Sequence, residues 1–138
     1  MVKVLIGRMA DHEPWWAEWW SAVIALAWCL YNATGVSGLE ALAPYQAVTE
    51  IVPSGYVYLF ASIVPVMQAL ALRLDRRPAR LALCAIMAWW WGFITLAIIF
   101  LAPVSTPAVP MYAGMACINL NSLWRLGWVS RRPARGDG

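Results

Sequence analysis

The chain has 138 residues, of which 62% are hydrophobic and only 12% charged, and its mean hydropathy is +0.63. A soluble globular domain carries about 25% charged residues, so this composition excludes an ordinary soluble domain and predicts an integral membrane protein. The net charge of +3 does not indicate nucleic-acid binding. No basic helix face with interleaved aromatic residues and no recognisable nucleic-acid module accompanies it.

Four apolar runs predict an all-α membrane protein, a four-helix bundle built from two helical hairpins that form one domain over residues 1–138. Each run is close to the roughly 20 residues that a helix needs to cross the hydrocarbon layer. Pro65 lies inside the second run, where it is expected to kink the helix. The predicted spans are residues 16–34, 55–72, 79–102 and 109–126.

Residues 35–54 are predicted to form an outer loop, because they carry acidic residues but no Lys or Arg. Ser37 followed by Glu40 resembles a capping box, and Pro44 can open a second short helix that ends before Pro53. Two short helices lying over the outer end of the bundle are therefore expected. An extended loop is the alternative.

Basic residues predict which side of the membrane each loop faces. They fall at the N-terminus, in a hinge over residues 73–80 and at the C-terminal end, which includes a basic tail over residues 127–138, and in neither of the other two loops. Positive residues favour the cytoplasmic side, so we expect both termini and the hinge to be cytoplasmic in a bacterial inner membrane. The topology determinants in the hinge and the tail are Arg73, Arg76, Arg77, Arg80, Arg131, Arg132 and Arg135.

Tryptophans at the span ends are predicted to act as interfacial anchors, since Trp is enriched where the headgroups meet the hydrocarbon. Glu18 lies among the first of them and is expected near the headgroups, not at mid-depth. The predicted anchors are Trp15, Trp16, Trp19, Trp20, Trp124 and Trp128.

Polar residues within the spans predict contacts between helices. A side-chain amide that faces lipid would lack hydrogen-bond partners, so such groups should point inward and pair. We expect Gln68 to contact Asn121 or Ser122, and a tryptophan indole to contact Asn119. Polar contacts of this kind hold helices together more often than they line a permeation path.

The third span carries Trp89, Trp90 and Trp91 near its midpoint, and these three residues cover more than half of the helix circumference. At least one of them must face lipid unless this helix is central or the protein oligomerises, and we favour self-association or a partner helix. Ala88 and Gly92 form a small-x-x-x-small pair that permits close helix approach. We therefore predict an association face formed by Ala88, Trp89, Trp90, Trp91 and Gly92.

The sequence predicts no catalytic, cofactor-binding or metal-binding residue. No ionisable residue falls in the middle of a span, whereas ion-coupled transporters need such a group at depth. His12, the one histidine, lies outside the spans, and the three cysteines occur singly, without a CxxC pair. A non-enzymatic protein is expected, with no identified small-molecule substrate.

In layout the chain resembles the small holin-like and accessory membrane proteins of bacteriophages: a short charged N-terminus, a few spans and a basic polar tail. The resemblance implies oligomerisation in the host inner membrane and timed permeabilisation. Two alternatives remain open at this point. One is an accessory, scaffold or exclusion protein bound to a larger membrane complex, and the other is a small transporter or channel subunit. The expected partners are the lipid bilayer and either further copies of the chain or another membrane protein.

Overall fold

The computed structural model describes residues 15–34, 43–102 and 106–129, and within these ranges the regular structure is helical throughout. The predicted all-α class is confirmed. Two of the described helices, Ser54–Arg73 and Arg77–Leu101, are long and apolar enough to cross a membrane by length and composition. The helices are α1 (Trp15–Thr34), α2 (Ala43–Ile51), α3 (Ser54–Arg73), α4 (Arg77–Leu101) and α5 (Ala108–Val129).

Prolines mark where several helices begin, because a proline fits the first helical turn but lacks the N–H that the interior needs. Pro44 lies at the start of α2, Pro53 precedes α3, and Pro78 lies in the first turn of α4. Pro65 is buried within α3, which continues through it. The short helix expected at Ser37 to Glu40 lies outside the described residues.

The connection between α3 and α4 is a tight turn over residues 74–76, shorter than the hinge expected over residues 73–80. Asp75 has a φ of 49°, the left-handed conformation that Asp tolerates better than most residues. The Arg76 N–H donates to the Ala71 carbonyl at 3.0 Å and closes the end of α3. The remainder of the predicted hinge is the first turn of α4.

The most extensive contacts join α1 to α3 and α4 to α5, and each of these pairs is antiparallel. The Tyr58 hydroxyl near the start of α3 donates to the backbone carbonyl of Asn32 near the end of α1, at 3.1 Å. Arg77 at the start of α4 donates to the Leu126 carbonyl near the end of α5, at 2.9 Å. The turn 74–76, the start of α1 and the end of α5 therefore lie together, and we call this side the hinge end. The opposite side is the loop end.

Helix α4 is the most buried helix, and its inner side carries the large core residues Met87, Trp90, Trp91 and Ile94. The buried face of α1 is made of small residues such as Ala22 and Ala25 instead. Small residues allow helix backbones to approach closely. The short helix α2 packs on α4 at the loop end and buries Val48.

Candidate functional site

Glu18 and Arg80 form a buried ion pair at the hinge end. Arg80 Nε lies 3.0 Å from Glu18 Oε2, and Arg80 Nη2 lies 2.8 Å from Glu18 Oε1. The exposed fractions of the two side chains are 0% for Glu18 and 2% for Arg80. Two parallel N–H···O bonds fix the geometry of the pair and are stronger than a single contact. Each charge is therefore compensated where water does not reach it.

The positions of these residues follow from the direction of their helices. Glu18 lies in the first turn of α1 and Arg80 in the first turn of α4, and both helices begin at the hinge end. Arg80 Nη1 also donates to Asp75 Oδ1, at 2.9 Å. Because the Asp75 side chain is 80% exposed, Arg80 joins a buried carboxylate to one at the surface.

A second set of buried polar contacts centres on Asn119. Its Nδ2 donates to Ser21 Oγ and to the Met115 carbonyl, both at 2.8 Å. Its Oδ1 accepts from Ser21 Oγ at 3.1 Å and from Gln68 Nε2 at 3.3 Å. Gln68 Nε2 also lies 3.7 Å from Cys84 Sγ. One amide therefore contacts α1 and α3 while remaining bonded to its own helix, α5.

The contacts of Glu18, Ser21 and Gln68 all cross from the α1/α3 pair to the α4/α5 pair. These contacts stabilise the packing of the two helix pairs against each other. If the pairs separated in an apolar environment, the polar groups would lose these hydrogen-bond and ion-pair partners. In the part of the chain that the structure describes, Gln68 Oε1 and Ser122 Oγ are buried without a hydrogen-bond partner. We call the crossing set the polar seam: Glu18, Ser21, Gln68, Arg80, Cys84 and Asn119.

An aromatic cluster holds the helices together toward the loop end. Trp28 Nε1 donates to the Tyr112 hydroxyl at 2.9 Å and approaches the Tyr45 hydroxyl at 3.4 Å, and the two hydroxyls are hydrogen-bonded to each other. Trp91 stacks on Tyr112 with ring centroids 5.4 Å apart. Burial raises the pKa of Tyr45, while the Trp28 hydrogen bond acts in the opposite direction. The cluster joins α1, α2, α4 and α5.

The predicted polar contacts form with different partners. Gln68 bonds Asn119 and Cys84, not Asn121 or Ser122. Asn121 is exposed, because it lies on the opposite face of α5 from the buried Asn119 and Ser122. No tryptophan is among the described partners of Asn119, which are Ser21, Gln68 and the Met115 backbone. These expectations were wrong about the pairing, since the position of a residue along the chain does not tell which face of the packed helix turns inward.

The predicted association face divides between the inside and the outside of the fold. Ala88, Trp90 and Trp91 are 7%, 4% and 1% exposed and pack inside the chain. Trp89 is 63% exposed, and Gly92 beside it is half-buried. A Cβ atom added at Gly92 would meet nothing within 4 Å. The outward part of this face is therefore Trp89 with Gly92.

The predicted topology determinants differ from one another in solvent exposure, whereas the described tryptophan anchors are all exposed. Arg73 and Arg76 are exposed, whereas Arg77 is half-buried and Arg80 is buried. The side chain of Trp128 and all of Arg131, Arg132 and Arg135 lie outside the described residues. Five of the predicted anchors are between 39% and 66% exposed: Trp15, Trp16, Trp19, Trp20 and Trp124.

The ion pair is the part of the site that sequence reasoning missed. Glu18 was expected near the headgroups and Arg80 in the hinge, and no contact between them was predicted. Each lies in the first turn of its helix and is buried. A signal was present in the sequence. Glu18, Ser21, Ala25 and Cys29 recur at intervals of three and four residues, which places Glu18 on the small-residue face of α1.

The arrangement is suited to holding helices in place. The charges of Glu18 and Arg80 are paired with each other, and the described residues contain no group of three or more His, Cys, Asp or Glu side chains that could hold a metal ion. No family model, curated protein or solved structure matches this chain.

Proposed function

We propose that this protein is a multi-pass, non-enzymatic protein of the bacterial inner membrane that acts by associating with other membrane helices. In this proposal the four long helices form a membrane-spanning bundle. The hinge end and both chain termini face the cytoplasm, as the distribution of basic residues favours. The observation that carries the proposal is an inverted polarity, with polar groups inside and apolar groups outside.

The inversion is seen in the described residues of every long helix. Glu18, Gln68, Arg80 and Asn119 are buried, whereas large apolar side chains such as Phe100, at 77%, are exposed. Within α3, only 28% of the most apolar stretch of 18 residues is buried inside the protein. Contiguous apolar surface of this kind is costly in water, at about 25 cal/mol per Å². A lipid environment removes that cost.

Helices α1 and α5 are not among the described helices that are apolar enough to cross a membrane by composition, and the polar groups that they bury explain why they still suit a bilayer. The polar groups Glu18 and Ser21 on α1, and Asn119 on α5, are buried against other helices. The outward side chains include Ile24 on α1 and Leu120 on α5, which are apolar. Average hydropathy counts the inward polar groups although lipid would not meet them.

Labelling with a membrane-impermeant thiol reagent tests the topology. In a chain whose three cysteines are replaced by alanine, we expect Glu50→Cys on α2 to react in intact spheroplasts. Arg76→Cys in the turn between α3 and α4 should react only after the membrane is opened. Glu50 and Arg76 are both exposed, and they lie before the start and after the end of α3, on opposite sides of the proposed membrane span. Reaction of both positions from one side, or recovery of the chain without detergent, would contradict the proposal.

The position of the polar groups favours association over permeabilisation. A pore formed between copies needs polar surface facing its lumen, but the polar seam lies inside one chain, and Arg80 already engages Glu18. The outer surface around Trp89 is apolar instead. A groove of about 480 Å³ beside Trp89 is lined by Gly92, Leu96 and Phe100. This surface suits contact with another apolar helix.

Two exposed tryptophans provide a matched test of association. Trp89→Ala is expected to reduce association by at least about fivefold, because an aromatic anchor is lost. Association is measured as the amount of a second, differently tagged copy, or of another membrane protein, that co-purifies with the tagged chain. Trp124→Ala on α5 serves as the control, since Trp124 is 66% exposed and Trp89 63%. A membrane-potential dye should report no abrupt depolarisation. Equal effects of the two variants, or depolarisation that depends on expression, would contradict association through this face.

A further inference from the structure

A cleft of about 490 Å³ opens at the hinge end, between the start of α1 and the end of α3. Trp15 and Trp19 form one wall, and Ala69 and Leu72 contribute apolar surface to the other. In the membrane location proposed above, on which the present inference rests, the cleft lies at the level of the headgroups. Tryptophan is enriched at that level because its ring is amphipathic.

The cleft carries one positive and one negative group that are accessible together. The Arg73 side chain is exposed and has no hydrogen bond or ion pair among the described residues. Asp75 uses Oδ1 for Arg80 but remains 80% exposed. Arg80 also lines the cleft, but its charge is matched by Glu18. The cleft therefore offers a cationic and an anionic contact two residues apart.

An apolar path leads from the cleft along α3. Leu70 and Val66 lie three and seven residues before Arg73, on the same helix face, and are 46% and 45% exposed. A lipid whose headgroup lies at Arg73 can therefore lay an acyl chain along these residues. A soluble phosphate or amine would make no use of this surface.

We infer that the cleft binds the headgroup of an amine-bearing zwitterionic phospholipid, phosphatidylethanolamine. Its phosphate accepts hydrogen bonds from the Arg73 guanidinium, and its ammonium group donates to the Asp75 carboxylate. This lipid can form one charge-assisted hydrogen bond through its anionic phosphate and another through its cationic ammonium group, and this combination distinguishes it from the alternatives. Phosphatidylglycerol lacks the cation, and phosphatidylcholine lacks N–H donors.

Native mass spectrometry of the full chain in detergent, with the three lipids added in equal amounts and with matched acyl chains, tests the inference. We expect the chain to retain phosphatidylethanolamine in preference to the other two. Arg73→Gln should weaken retention about fivefold to tenfold, whereas Arg73→Lys should keep most of it. Arg76→Gln is the control, because Arg76 is exposed in the same turn but does not line the cleft.

Asp75→Asn tests the ammonium contact separately. Asn tolerates the left-handed conformation of residue 75, so the turn is preserved while the negative charge is lost. The preference for phosphatidylethanolamine over phosphatidylglycerol should disappear. Equal retention of the three lipids by the unmodified chain, by contrast, would overturn the headgroup site.

Three further outcomes show whether the lipid site, the membrane location or both are wrong. Equal weakening by Arg73→Gln and Arg76→Gln would show nonspecific attraction to the basic turn, which overturns the site and leaves the membrane location intact. Recovery of a folded chain without detergent would overturn the membrane location and the lipid site together. Phosphoethanolamine that competes as strongly as the intact lipid would overturn the choice of a lipid ligand.

Discussion

Replacing Glu18 with alanine is expected to lower the free energy of unfolding by about 3 kcal/mol, because Arg80 then remains as a buried charge without its main partner. The loss lies at the low end of the range for a broken buried pair. Arg80 keeps Asp75, and its position near a helix end allows the side chain to extend toward the interface. SDS titration in mixed micelles, followed by circular dichroism, measures the change.

Two controls make this prediction specific to the ion pair. Glu50→Ala removes an exposed acidic residue from α2 and should change stability by less than about 0.5 kcal/mol. The double variant Glu18→Leu with Arg80→Leu removes both buried charges and should be more stable than Glu18→Ala alone. A double variant that loses at least as much stability as the single one would contradict a buried pair.

Trp91→Ala is expected to cost about 4 kcal/mol, since it removes a side chain that is 1% exposed and leaves a cavity at the centre of the helices. Trp91 stacks on Tyr112 and meets Trp28 edge-on, with ring centroids 5.8 Å apart. The substitution therefore weakens the contacts of α4 with α1 and α5 together. The same SDS titration gives the magnitude.

Trp91→Phe separates packing from hydrogen bonding at this position. Trp91 Nε1 is buried without a hydrogen-bond partner in the described structure, so phenylalanine removes a group that is costly to bury. We expect a loss of about 1 kcal/mol or less, because the remaining ring still fills most of the space. A loss equal to that of Trp91→Ala would indicate that the indole N–H has a partner after all.

The helices themselves could be predicted from the sequence because their signals are local. Apolar runs of sufficient length indicate helices, and Pro44, Pro53 and Pro78 indicate where helices begin. Pro65 is an instructive exception. It lies within an apolar run without nearby turn residues, and α3 continues through it.

The contacts between helices could not be predicted in the same way. Gln68 was expected to contact Asn121 or Ser122, but its partner depends on which face of α5 turns inward. A rotation of about 100° per residue separates Asn119 from its neighbours. Asn121, two residues further along, is exposed for this reason. Trp89 and Trp91 are separated in the same way, one outward and one in the core.

Three properties can be predicted from the order of the amino acids: the helical class, the approximate limits of the long helices and the concentration of basic residues in the hinge and the tail. Composition and spacing along the chain are enough for these properties. The contact between Glu18 and Arg80, by contrast, joins residues that have 61 others between them in the chain, and it is seen only in the folded protein. Their pairing requires two helix starts at one end and the right rotation of each helix, and both are set by the packing of all the helices together.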